Sequence, residues 1–171
     1  MNRYGEKASK VGWLTEVGLL AAFITITGTF KLPGFLPGTE FQLSAPLAVA
    51  ICAVFGFGKY ITAGVLSSAA GLILGTQSLV NVFIAMVFRI TVGIILLLLG
   101  RSWPVILLAG PLGSAAARLA LGGIIGKAAI PLVVAAVPGM VYTALAAWPL
   151  TVLLNKVQQQ KGRVIRHAIQ R

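Results

Sequence analysis

Six long stretches of this chain hold almost no charge, and that constrains its fold more than any other feature. They run over 13–30, 43–57, 60–75, 79–99, 104–122 and 131–155. A helix that crosses a bilayer needs about 20 predominantly apolar residues, with roughly 17 to 25 tolerated. A water-facing domain carries about 25% charged residues, whereas only 10% of these 171 residues are charged and 58% are hydrophobic. Lipid must therefore be the solvent for most of the surface. The sequence predicts an all-α membrane protein of six transmembrane helices over 13–155, between an N-terminal segment 1–12 and a basic tail 156–171. The second and third runs are cleanly separated only by Gly58 and Lys59. The glycine-flanked stretch from Phe55 to Tyr60 reads as a tight turn with aromatics at the interface. One bent hairpin, or a span followed by a re-entrant piece, fits the same residues.

The basic residues give the orientation. With six spans both termini share a side, which collects ten lysines and arginines: Arg3, Lys7, Lys10, Lys59, Arg101, Lys156, Lys161, Arg163, Arg166 and Arg171. The other side collects two, Lys31 and Lys127. By the positive-inside rule both termini are cytoplasmic, and five or seven spans would lose this agreement. The formal charge of +11 thus reflects topology and anionic headgroups near the tail. It does not point to nucleic acid, for which no recognition motif is present.

Catalysis has little to work with. The chain holds three acids, Glu6, Glu16 and Glu40, with one cysteine, Cys52, and one histidine, His167. That excludes an intramolecular disulfide and a thiolate metal cluster. It leaves no paired carboxylates and no nucleophile–base set. No glycine-rich phosphate loop is present, so the chain itself is not expected to hydrolyse ATP. Neither a catalytic residue, a metal site nor a cofactor is expected.

The polar residues that remain inside or beside the spans are the candidates for ligand contact. Arg89 lies near the middle of the fourth span and Arg118 in the outer half of the fifth. A central arginine costs about 2.5–3.5 kcal/mol on insertion scales, so each must face protein or water and find partners. Arg89 is either a structural arginine capping carbonyls of a neighbouring helix or a ligand contact; Arg118, nearer the outside, leans toward the ligand. An anionic group suits either guanidinium. Glu40, Gln42 and Ser44 precede or open the second span, Gln77 and Asn81 flank the start of the fourth, and Tyr142 lies deeper in the sixth. If these ends converge they make an outward-facing apolar pocket with a few polar anchors. Two Pro-Gly pairs between Lys31 and Glu40 give turn chemistry suited to a folded cap. Pro111 and Pro138-Gly139 interrupt the fifth and sixth runs, and kinks there would widen the outer half. Small residues at Gly18, Ala22 and Thr25 share one face of the first helix. They serve either internal packing or the docking of a membrane partner.

This layout resembles the substrate-binding S components of energy-coupling factor (ECF) transporters, small six-helix vitamin-capture proteins. The likeness rests on Gly18-Leu-Leu-Ala-Ala22 and the turn-rich loop after it. It extends through Ala45-Pro-Leu-Ala-Val-Ala-Ile-Cys-Ala-Val-Phe-Gly56 to Ala63-Gly-Val-Leu-Ser-Ser-Ala-Ala-Gly-Leu-Ile-Leu-Gly75. The resemblance implies a bacterial cell-membrane subunit that binds a vitamin-like substrate from outside. It would associate with a transmembrane coupling protein and two ABC ATPases. Matched by position, Gly18, Ala22 and Thr25 would contact the coupling protein, and the Lys31–Glu40 loop would be the lid. None of the family's folate, thiamine, riboflavin or biotin motifs is evident, so the vitamin stays open. Nor is there the N-terminal histidine of its nickel and cobalt members. A stand-alone secondary transporter would need a membrane-embedded acid, for which only Glu16 and Glu40 are available. A ligand-free assembly subunit would have both arginines satisfied by carbonyls and no outward cavity.

Overall fold

A computed structural model describes the backbone of residues 3–33, 40–125 and 129–169, and the side chains of 10–30, 43–124 and 130–160. Six α-helices carry it: α1 (Arg3–Thr29), α2 (Ser44–Phe55), α3 (Phe57–Ile73), α4 (Leu79–Leu98), α5 (Trp103–Ile125) and α6 (Ala129–Ile169). Between α1 and α2 lies an antiparallel pair of short strands, β1 (Lys31–Pro33) and β2 (Glu40–Gln42), in which Leu32 faces Phe41. The sequence reading held no strands. Residues 34–39, which carry most of the two Pro-Gly pairs, lie outside the described residues, as does Lys127.

Among the described residues four helices are long and apolar enough to cross a membrane: stretches Lys10–Thr29, Leu79–Leu98, Trp103–Ile124 and Ile130–Gln160. Their outward faces are aliphatic. Leu79 is 76% exposed, Leu98 78% and Leu145 70%, a surface that water would penalise and lipid tails accept. Trp13, Trp103 and Trp148 are also exposed, as expected of interfacial anchors.

The short helix α2 is the pillar of the fold. Its 12 residues rise only about 18 Å, less than the ~30 Å of a hydrocarbon core. It is apolar all round, and every residue from Ala48 to Ala53 is buried. That is possible because α1, α3, α4, α5 and α6 all pack against it. α2 and α3 are separate helices joined at one residue, Gly56, whose φ of +84° suits glycine. The break therefore falls at Gly56 and not at Gly58 and Lys59, both of which belong to α3.

Glycines set the closest helix approaches. A Cβ on Gly110 of α5 would meet Thr143 Cγ2 of α6 at 2.3 Å, and one on Gly113 would meet Val92 Cγ2 of α4 at 2.8 Å. The Cδ2–Cε2 edge of the Phe57 ring points at Gly93, 2.2 Å from where a Cβ would stand. Such notches let backbones approach where lipid gives no hydrophobic drive for helices to associate. The prolines do not break the helices: α5 runs through Pro111, and α6 runs through Pro138 and Pro149 as one helix of 41 residues. Opposite the strand ribbon, Lys59 of α3 pairs with Glu16 of α1 at 2.5 Å, both partly exposed.

Candidate functional site

Small side chains open a cavity of about 190 Å³ in the half of the bundle that carries the strand ribbon. Half of its lining is alanine, serine or glycine, and it is drawn from the parts of α1, α2, α4, α5 and α6 nearest the ribbon. The helical period explains the selection. On α4, Asn81, Ala85, Phe88 and Arg89 fall on one face; on α5, Ser114, Ala117 and Arg118; on α6, Ala136, Gly139, Tyr142 and Thr143. Alanine at 85, 117 and 136 leaves the volume that a leucine would fill.

Five of the seven residues expected to touch a ligand come together here: Ser44, Asn81, Arg89, Arg118 and Tyr142 all line the cavity. Glu40 and Gln42 stand on β2, which packs against α1 and α6, but their side chains lie outside the described residues. Asn81 sits in the first turn of α4, where its backbone N–H donates to the N-cap hydroxyl of Ser78 at 3.3 Å. Gln77 is not in the lining. It wedges between Gly28 of α1 and Gly71 of α3, and its Oε1 is buried without a partner among the described residues.

The two arginines are held differently. Arg89 is 4% exposed; its Nη1 donates to Ser68 Oγ at 2.7 Å and approaches Met86 Sδ at 3.5 Å. Among the described residues it caps no carbonyl of a neighbouring helix; it leans on a hydroxyl while also lining the cavity. Arg118 is half-buried in the wall and makes no hydrogen bond or ion pair among the described residues. No acidic side chain lines the cavity among those residues, and no group of three or more histidines, cysteines, aspartates or glutamates there could hold a metal. Among the described residues the wall thus presents two cations without a compensating carboxylate. Anions with hydrogen-bond-acceptor oxygens suit such a wall, because charge-assisted bonds to guanidinium are the strong ones.

Sequence reasoning missed Ser114 and Thr143 in the lining, and Gly64 and Ser68 behind Arg89. Ser114 stands four residues before Arg118, a spacing that shares a helix face and could have flagged it. Thr143 spends its hydroxyl on the Gly139 carbonyl at 2.7 Å, so it contributes mainly its methyl. Elsewhere on α1, Gly18 and Ala22 are exposed, with nothing within 4 Å of a Cβ on Gly18. Thr25 turns inward, donating to the Ala21 carbonyl at 2.8 Å and meeting Ser67 Oγ at 3.0 Å.

Among curated proteins, the chain is 49% identical over 147 residues to Protein BioX of Lysinibacillus sphaericus, an alignment covering 86% of this chain and 89% of that protein. No protein-family model matches it. No solved structure matches it.

Proposed function

Since this chain belongs to the family of Protein BioX, we propose that it is a membrane-embedded capture subunit for a small, carboxylate-bearing vitamin or related metabolite. It binds the substrate from outside the cell and serves an importer of the ECF type. The observation that carries this reading is the pairing of Arg89 and Arg118 in the wall of one small-residue cavity without a described carboxylate. A guanidinium costs a few kcal/mol in a membrane interior, and an anionic occupant offsets that cost through hydrogen bonds worth about 1.5–3 kcal/mol each. The volume of about 190 Å³ lies below the roughly 300–1,000 Å³ of sites for drug-sized ligands, which favours a small metabolite.

The family relationship supports the likeness to vitamin-transporter S components. In this reading all six helices together form the membrane unit, both termini are cytoplasmic, and the strand ribbon caps the outer mouth. The chain is not an enzyme. ATP is hydrolysed by two partner ABC ATPases, coupled through a transmembrane protein that docks on the face of α1 bearing Gly18 and Ala22, with Thr25 behind it. A stand-alone proton-coupled carrier is disfavoured because Glu16, one of the two acids near the spans, is engaged with Lys59.

Native mass spectrometry of the detergent-purified protein against a vitamin panel tests the proposal. Biotin comes first, since the name BioX suggests it and it carries one carboxylate; thiamine serves as a cationic control. Retention of a carboxylate vitamin is the expected result. Binding of thiamine alone, or of nothing on the panel, would count against it.

A further inference from the structure

The residues that hold Arg89 belong to α3, a helix that contributes nothing to the cavity lining. A Cβ on Gly64 would come within 2.6 Å of both Cδ and Nε of Arg89, and within 3.1 Å of Cζ. The side chain therefore lies across the bare backbone at Gly64. One turn along, Ser68 is 3% exposed and accepts from Nη1 at 2.7 Å. Residues four apart stack on one helix face, so Gly64 and Ser68 make a groove with a floor and an acceptor at its end. Ser68 and the sulfur of Met86 engage one of the three guanidinium nitrogens, although the group carries five N–H donors. The partner chosen is also neutral. A carboxylate at position 68 would cancel the charge, whereas a hydroxyl fixes the fork and leaves its charge for an occupant.

We propose that Gly64 and Ser68 are positioning residues: they hold the Arg89 guanidinium in the cavity wall and thereby set a preference for a carboxylate over its neutral isostere. This rests on the capture reading above. Binding to a side chain already held costs less rotamer freedom than binding to one that must first be ordered.

The test uses the full-length protein in detergent and two probes that do not depend on which metabolite is native, pentanoate and pentanamide. Thermal-shift titrations give a half-saturation concentration for each, and their ratio is the carboxylate preference. In wild type pentanoate is favoured, and Arg89→Ala cuts the preference sharply, leaving what Arg118 supplies. Ser68→Ala and Gly64→Ala are expected to reduce it about tenfold, the scale of one hydrogen bond to a charged group, while shifting the pentanamide response less than about twofold. Ser68→Ala combined with Arg89→Ala should match Arg89→Ala alone, the non-additivity of two residues acting through one group. If Gly64→Ala fails to fold, Ser68→Ala decides. A preference cut in Arg89→Ala but retained in Ser68→Ala overturns the positioning role and leaves the capture reading intact. No preference in wild type overturns the carboxylate reading and the positioning role with it.

Discussion

Arg118 and Tyr60 are both unpartnered among the described residues, yet they predict opposite outcomes. Arg118 lines the cavity, so its charge is available to an occupant. Arg118→Ala is expected to weaken substrate binding about tenfold or more, with thermal unfolding nearly unchanged because no intramolecular partner is abandoned. Unaltered affinity would remove Arg118 from the site. Tyr60 is 0% exposed and its hydroxyl finds no partner among the described residues. An unsatisfied buried hydroxyl destabilises the fold. Tyr60→Phe, assayed by SDS-induced unfolding, should therefore leave stability within about 0.5 kcal/mol of wild type or raise it. A clear loss would mean that the hydroxyl is satisfied by water. The candidate arginines were legible in the sequence because charge inside an apolar run is conspicuous. The groove that holds one of them was not, since Gly64 and Ser68 look like any small residues of a membrane helix.

Among elements, the glycines divide into those that set an interhelix distance and those that do not. Gly110 of α5 lies where a Cβ would stand 2.3 Å from a methyl of buried Thr143. Threonine is stiff at χ1, so the clash cannot be relieved by rotation alone. Gly110→Ala should cost about 1–3 kcal/mol through overpacking and should loosen α5 against α6, two helices that share a cavity wall. Gly18→Ala meets nothing within 4 Å and should be neutral, or stabilising by up to about 1 kcal/mol from helix propensity alone. SDS unfolding of the pair checks the contrast, and equal effects would reject the notch account. Helix α2 teaches the same lesson about length. Its twelve residues look too short for a membrane element, and only its enclosure by neighbours explains why a helix of that length is stable there.

For the molecule as a whole, the exposed Gly18 and Ala22 bear on partnership. If a coupling protein docks there, Ala22→Leu should leave substrate binding by the purified subunit intact and block uptake in cells, because Ala22 is exposed and bulk there intrudes on the partner. Normal uptake would reject that face as the docking surface. Thr25 is a weaker probe, since its hydroxyl already reaches Ala21 and Ser67 and its loss would also disturb α1 against α3.

The sequence by itself determined the solvent, the helices and five of the polar residues that line the cavity. Apolar run length, charge placement and the 3.6-residue period are local properties that no packing arrangement can change. Only the tertiary structure decided that α2 is the central helix, that α6 passes its prolines unbroken, and that Arg89 leans on Ser68 rather than on a carbonyl. Those outcomes depend on which small residues face one another across helices far apart in the chain. That complementarity of volume has no periodic trace along a single strand of sequence.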